Sequence, residues 1–227
     1  MLNERSLPSQ FLHFVAATVA SLMVFSLYSI VDGLFVSNFV GKTPFAAINL
    51  VMPFVMILGG MGFIIGTGGT ALVSKLLGEG KGDDAQQTFS MMVLFTLLLG
   101  LVLSAVGIAA MPVVSRFLGA TDAMMSDCVL YGRIVTGFTF SFMLQNVFQS
   151  FLIAAEKPKL GLIATIAAGV TNMVLDALFV GVFRWVVAGA AIATGLSQCV
   201  GGVFPLMYFL RPNSSLLRFK PAKLEWK

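Results

Sequence analysis

Apolar residues run along this chain in long stretches that polar residues interrupt at only a few places. The stretches are roughly 20 residues or longer and show no period-two alternation, which is typical of helices that cross a ~30 Å hydrocarbon core and not of barrel strands. Six helices are predicted, at residues 11–39, 44–76, 86–111, 127–153, 160–183 and 187–210. Short connections rich in glycine, proline and charged residues separate them. The pattern predicts an all-α integral membrane protein, with a six-helix lobe at residues 1–211.

The composition agrees with a membrane protein. Hydrophobic residues make up 58% of the 227 residues and charged residues 11%, and the mean hydropathy is +0.95. A chain this apolar is not expected to form a water-soluble domain. The net charge of +4 comes from basic residues spread over short connections, so no basic patch indicates a nucleic-acid partner. The expected surroundings are the lipid bilayer.

The distribution of Lys and Arg predicts the orientation. With a cytoplasmic amino terminus, ten lie in inner segments and four in outer ones. The inner residues are Arg5, Lys75, Lys81, Lys157, Lys159, Arg211, Arg218, Lys220, Lys223 and Lys227, and the outer ones are Lys42, Arg116, Arg133 and Arg184. This excess predicts that both termini lie in the cytoplasm. The expected location is a prokaryotic inner membrane, as a multi-pass protein. Residues 212–227 are predicted to be a basic cytoplasmic tail, lying on the anionic leaflet or linking to further sequence.

Two of the ten acidic residues, Asp32 and Asp176, fall inside apolar helices. A charge in the membrane interior costs several kcal/mol unless it is paired or hydrated, so such a residue indicates function. Counted from the predicted helix ends at ~1.5 Å per residue, Asp32, Asp176 and Thr194 all lie about 10 Å below the outer surface. Asn172 precedes Asp176 by one turn, and Tyr28 precedes Asp32 by one turn, on the same helix faces.

These side chains offer carboxylate, amide and hydroxyl oxygens, which suit a hard cation such as Na⁺. The two carboxyl groups can also carry a proton, because desolvation disfavours the charged form. The predicted site therefore binds Na⁺ or H⁺ as a coupling ion, and no other cofactor is expected. Its residues are Asp32, Asn172, Asp176 and Thr194. The competing interpretation is that each Asp only forms hydrogen bonds between helices.

Further polar residues inside the predicted helices either line a water-filled cavity or form hydrogen bonds between helices. The candidates for the cavity lining are Tyr28, Gln145, Asn146, Gln149 and Gln198.

Other motifs are weaker. Residues 66–71 fit a G-x-G-x-x-A pattern, but no strand precedes them, so close packing of small residues between helices is favoured over dinucleotide binding. His13 is the only histidine, and Cys128 and Cys199 are the only cysteines. They supply neither a nucleophile with a base nor a metal-ligand set, so the sequence does not indicate an enzyme.

Several of these segments resemble the multidrug and toxic compound extrusion (MATE) family. Residues 28–36, YSIVDGLFV, look like its first-helix signature, and residues 172–176, NMVLD, and 189–194, GAAIAT, resemble its fifth and sixth helices. In prokaryotic members the matching Asp, Asn, Asp and Thr form the cation site of the amino-terminal lobe. The resemblance implies a cation-coupled antiporter that exports cationic or amphipathic organic compounds across the cell membrane.

The family fold has twelve helices in two six-helix lobes, with the substrate cavity between them, and the resemblance covers one lobe. A truncated or half-length form is therefore expected, whose activity needs the missing second lobe or a second copy. Two rival functions remain. A related exporter or flippase of lipid-linked sugars should line its cavity with Arg or Lys for the pyrophosphate, which the predicted helix interiors lack. A non-transporting membrane scaffold would not need acidic residues aligned at the same depth in the membrane.

Overall fold

The computed structural model describes residues 41–212 and 215–220, together with scattered helical positions between 15 and 37. The described residues form helices and no strand. In chain order the helices are α1 Lys42–Gly78, α2 Gly82–Phe117, α3 Asp122–Gly137, α4 Thr139–Ala154, α5 Pro158–Asp176 and α6 Val186–Leu210. Helix α5 continues as a π-helix over Ala177–Val182. Most of the first predicted helix, 11–39, lies outside the described residues.

Four helices of the described part are long and apolar enough to cross a membrane: α1, α2, α5 with its π-helical continuation, and α6. They cover the predicted helices at 44–76, 86–111, 160–183 and 187–210. Helix α2 is longer than predicted, because it runs through Pro112 to Phe117. Met111 and Ser115 are fully buried on either side of this proline, so packing holds the helix together where propensity alone favours an end.

The predicted fourth helix, 127–153, is two helices in the structure. Helix α3 ends at Gly137 and α4 begins at Thr139, with Phe138 between them at φ −99° and ψ 9°. The ring of Phe138 occupies the space that a side chain at Gly195 of α6 would need. Two causes therefore combine at the break: Gly137 is a poor helix former, and Phe138 packs against α6. Only the glycine can be recognised from the sequence.

Glycines bring α1 close to α4. A Cβ added at Gly62 would lie 2.6 Å from the Cα of Met143, and one added at Gly66 would lie 3.0 Å from the Cα of Val147. Close approach of helix backbones through small residues is a common packing mode in membranes, where van der Waals contact and not water exclusion drives association. This contact confirms the packing role predicted for the glycines of the second helix.

Residues 215–220 lie against the bundle at the end where α2 begins. Leu217 is fully buried, and Phe219 packs on aromatic rings of α2 and α6. The Lys220 ammonium lies 2.6 Å from Oδ1 of Asp83. The segment predicted to be a tail or linker thus includes a stretch that is docked on the protein.

Candidate functional site

A cavity of about 190 Å³ lies among the five helices α1, α3, α4, α5 and α6. Gly33, which falls in the first predicted helix at 11–39, is also in its wall. Its lining is mostly apolar. Its polar residues are Asn49, Tyr131, Gln145, Asn172, Thr194, Ser197 and Gln198. This volume has room for a partly hydrated cation. It is smaller than the roughly 300–1,000 Å³ of pockets that enclose drug-sized molecules.

The structure brings four of the predicted site and lining residues to this cavity: Gln145, Asn172, Thr194 and Gln198. Asp176 lies one turn beyond Asn172 on α5 and is only 1% exposed, and it is not part of the described cavity wall. Tyr28 and Asp32 lie outside the described residues. Gly33, which follows Asp32 in the sequence, is in the wall.

Three buried amide oxygens in the cavity wall have no hydrogen-bond donor among the residues that the structure describes. They are Oε1 of Gln145, Oδ1 of Asn172 and Oε1 of Gln198, from α4, α5 and α6. A buried polar atom without a partner costs on the order of 1–3 kcal/mol. Oxygens of this kind from three helices can act as ligands of a hard cation, which would recover that cost.

Asp176 occupies a special backbone position, because the α-helical part of α5 ends at this residue and the π-helix Ala177–Val182 follows. A π-helical turn is wider than an α-helical one and is frequent at functional sites. The ring of Phe179 in the π-helix stacks on the rings of Phe183 and Trp185, which follow it in the connection to α6, with centroids 6.2 and 5.4 Å away. The carboxyl group is therefore buried at a local irregularity of the helix.

The other two lining candidates on α4 lie in hydrogen bonds between helices. Asn146 Nδ2 donates to the Gly59 carbonyl at 3.1 Å, and Gln149 Nε2 donates to Thr165 Oγ1 at 2.7 Å. Neither belongs to the described cavity wall. The sequence left open whether these residues line a cavity or form hydrogen bonds between helices. In the structure they form hydrogen bonds between helices.

Three polar wall residues were not identified from the sequence. Asn49 gave a signal, since it is a polar residue in an apolar helix one turn before Pro53. Tyr131 is 2% exposed, with its hydroxyl oxygen 3.8 Å from Met52 Sδ, and a buried tyrosine of this kind resembles an ordinary packing residue. Ser197 bonds the Thr194 carbonyl of its own helix at 2.7 Å, as many helical serines do.

The sequence profile described as MatE matches residues 17–178, which is more than half of the chain. The chain belongs to the MatE family. The resemblance to MATE transporters is thereby confirmed.

Among curated relatives, the multidrug export protein MepA of Staphylococcus saprophyticus is 27% identical over 210 residues, which are 89% of this chain and 47% of that protein. MepA of Staphylococcus aureus strain MRSA252 is 24% identical over 206 residues, 91% of this chain and 46% of the relative. The chain spans about half the length of these relatives.

Solved structures give the same picture of the fold. An outward-facing conformation of a multidrug resistance MATE family transporter of the MOP superfamily matches with a TM-score of 0.87 at 22% identity, over 93% of this chain and 47% of that chain. An inward-facing conformation matches with a TM-score of 0.79 at 22% identity, over 92% of this chain and 49% of that chain. These matches confirm the predicted all-α membrane fold as one lobe of a MATE-type transporter.

Proposed function

We propose that this chain is the cation-binding lobe of an antiporter that exports cationic or amphipathic organic compounds in exchange for Na⁺ or H⁺. Membership of the MatE family supports an efflux transporter. The observation that carries the ion-coupling step is the set of three buried amide oxygens in the cavity wall that have no donor among the described residues. One of them belongs to Asn172, one turn before the buried Asp176. A lobe built only for mechanical support has no need to leave these oxygens without partners.

The proposed site uses two kinds of oxygen. The carboxylate of Asp176 supplies the negative charge that a cation or proton neutralises, and the Asn172 amide on the same helix supplies a neutral ligand. Thr194 and Gln198 of α6 add oxygens across the cavity. Ion binding here would change how α5 and α6 pack against each other, and the ion shifts the equilibrium between two transporter states only by its difference in affinity for them.

The substrate needs more room than this cavity gives. At about 190 Å³ it suits the coupling ion and not a drug-sized compound. In the proposal the organic substrate binds in a larger space that this lobe completes together with a second set of helices, from further sequence or from a second copy of the chain.

The rival transport function, export of lipid-linked sugars, requires basic side chains for the pyrophosphate. No Lys or Arg belongs to the cavity wall in the described residues. Among the described residues, the wall therefore offers no basic group to bind a pyrophosphate.

Thermal unfolding of the protein in nanodiscs tests the proposal, measured with NaCl or choline chloride over a range of pH, because a bound cation stabilises the folded state. The unfolding temperature should respond to sodium or pH in the wild type, and Asp176→Asn should reduce this response. Asp122→Asn, at the exposed start of α3, is the matched control and should respond as the wild type does. Equal responses of the wild type and Asp176→Asn to sodium and to pH would contradict ion coupling in this lobe.

A further inference from the structure

Arg133 carries a positive charge on a face of α3 that points away from the cavity. Tyr131 and Val135 line the cavity, and Arg133 is two residues from each, so it lies on the opposite side of the helix at ~100° per residue. Its side chain is exposed, and Leu130 one turn earlier is also exposed. A guanidinium group in an exposed apolar surface of a membrane helix needs a counterpart.

A backbone carbonyl holds this guanidinium in place. Arg133 Nε donates to the Ile108 carbonyl oxygen of α2 at 3.3 Å. Pro112 stands four residues after Ile108 and has no N–H, so this carbonyl lacks its usual partner within the helix. In a membrane the carbonyl must find another donor, and Arg133 supplies it from the neighbouring helix. One of the five N–H groups of the guanidinium is thereby used, and the group is fixed against α2.

The position along α2 places this group near the edge of the hydrocarbon core. The 36 residues of α2 span about 54 Å, against ~30 Å for the core, so a centred helix extends about 12 Å beyond the core at each end. Ile108 is nine residues from the end of α2, or about 14 Å. Val113 and Phe117, nearer that end, are 72% and 89% exposed, so an apolar surface continues past Arg133 towards the headgroups.

We propose that Arg133 binds the phosphate group of a phospholipid in the leaflet on the Phe117 side of the bundle. The planar fork of N–H donors matches a phosphate and can bind it through two oxygens. Among the residues that the structure describes, no carboxylate lies within ion-pair distance of Arg133. Phosphate groups are the anions available at this depth, whereas a carboxylate would have to come from outside the described residues.

Native mass spectrometry of the purified protein with added phosphatidylglycerol tests this site. Arg133→Gln should weaken lipid retention roughly tenfold or more, because a charge-assisted hydrogen-bonded contact is lost. Arg116→Gln removes an exposed arginine at the end of the same α2 helix and should retain lipid as the wild type does. Equal retention by the Arg133→Gln variant and the wild type would overturn the proposal.

A double variant separates lipid binding from the helix contact. Pro112→Ala restores an N–H for the Ile108 carbonyl, so in Pro112→Ala/Arg133→Gln the α2 helix no longer needs the arginine. The double variant should be as stable as the wild type and should still fail to retain the lipid. Recovery of lipid retention in the double variant would assign the loss to helix packing. A wild-type dimer that Arg133→Gln dissociates would assign the charge to a carboxylate of a second copy. Either result would overturn the phosphate site.

Discussion

At the scale of single residues, the buried amides of the cavity divide into two groups by their hydrogen bonds. The oxygens of Gln145, Asn172 and Gln198 have no donor among the described residues, while Asn146 and Gln149 bond neighbouring helices through their amide nitrogens. The first group suits a ligand and the second stabilises the bundle.

This division gives opposite expectations for two substitutions of similar shape. Asn172→Leu removes a buried oxygen without a donor, so the protein should be at least as stable as the wild type, while the response of its unfolding temperature to sodium or pH is weakened. Gln149→Leu removes the bond to Thr165, so the protein should lose about 1 kcal/mol of stability and keep its cation response. Thermal unfolding of both variants with NaCl or choline chloride, over a range of pH, checks this pair. A destabilised Asn172→Leu variant with an intact cation response would argue against a ligand role.

The sequence identified part of this cavity wall. Asn172 and Thr194 could be identified because polar residues inside apolar helices carry a cost that demands a role. The sequence could not separate Gln145 from Gln149, which share a face of α4 at a spacing of four residues. Only the positions of Thr165 on α5 and of the cavity wall show which amide faces which neighbour.

At the scale of helices, the contact between α1 and α4 depends on the absence of side chains. A Cβ at Gly62 would lie 2.6 Å from both the Cα and the carbonyl oxygen of Met143, which is backbone and cannot rotate away. Gly60 on the same helix has nothing within 4 Å of an added Cβ.

The two glycines therefore form a matched pair. Gly62→Ala should cost about 1–3 kcal/mol, as overpacking does, because the helices must separate. Gly60→Ala should be neutral or stabilising by up to about 1 kcal/mol, through its helix propensity. Unfolding of both variants in a denaturing detergent compares them. If both substitutions have the same effect, the close approach of α1 to α4 is wrong.

Hydrophobic stretches predicted the long helices well, because length and polarity are local properties of the sequence. The break at Phe138 could not be predicted, since it depends on a ring that packs on Gly195, a residue distant in the sequence. The docking of residues 215–220 was missed for a similar reason. Leu217 and Phe219 alternate with polar residues in a short segment that resembles an exposed tail.

The docked segment allows a comparison of apolar and ionic contacts. Leu217 is fully buried, whereas the Lys220 and Asp83 side chains of the ion pair are 42% and 88% exposed. Leu217→Ala should therefore destabilise the docked segment far more than Lys220→Ala, since exposed ion pairs contribute about 0–1 kcal/mol. Limited trypsin cleavage after Arg218 measures the release. Faster cleavage in Lys220→Ala than in Leu217→Ala would show that the ion pair holds the segment.

At the scale of the whole molecule, the chain is one lobe of a MATE-type fold that encloses a small, mostly apolar cavity between its helices. The curated relatives are about twice as long, so in our proposal this lobe supplies the ion site and a second set of helices completes the substrate space. The central claim is that Asp176, one turn from Asn172, and the amide oxygens of the cavity wall take up the coupling cation.

Counting the cations bound by the purified protein tests this claim most directly. The wild type and Asp176→Asn are titrated potentiometrically in nanodiscs, with NaCl and with choline chloride, and circular dichroism confirms that both are folded. We expect the wild type to bind one proton or sodium ion that the variant does not bind, because this carboxyl group is replaced by a neutral amide. Identical proton uptake and identical sodium dependence in the two proteins would contradict the account.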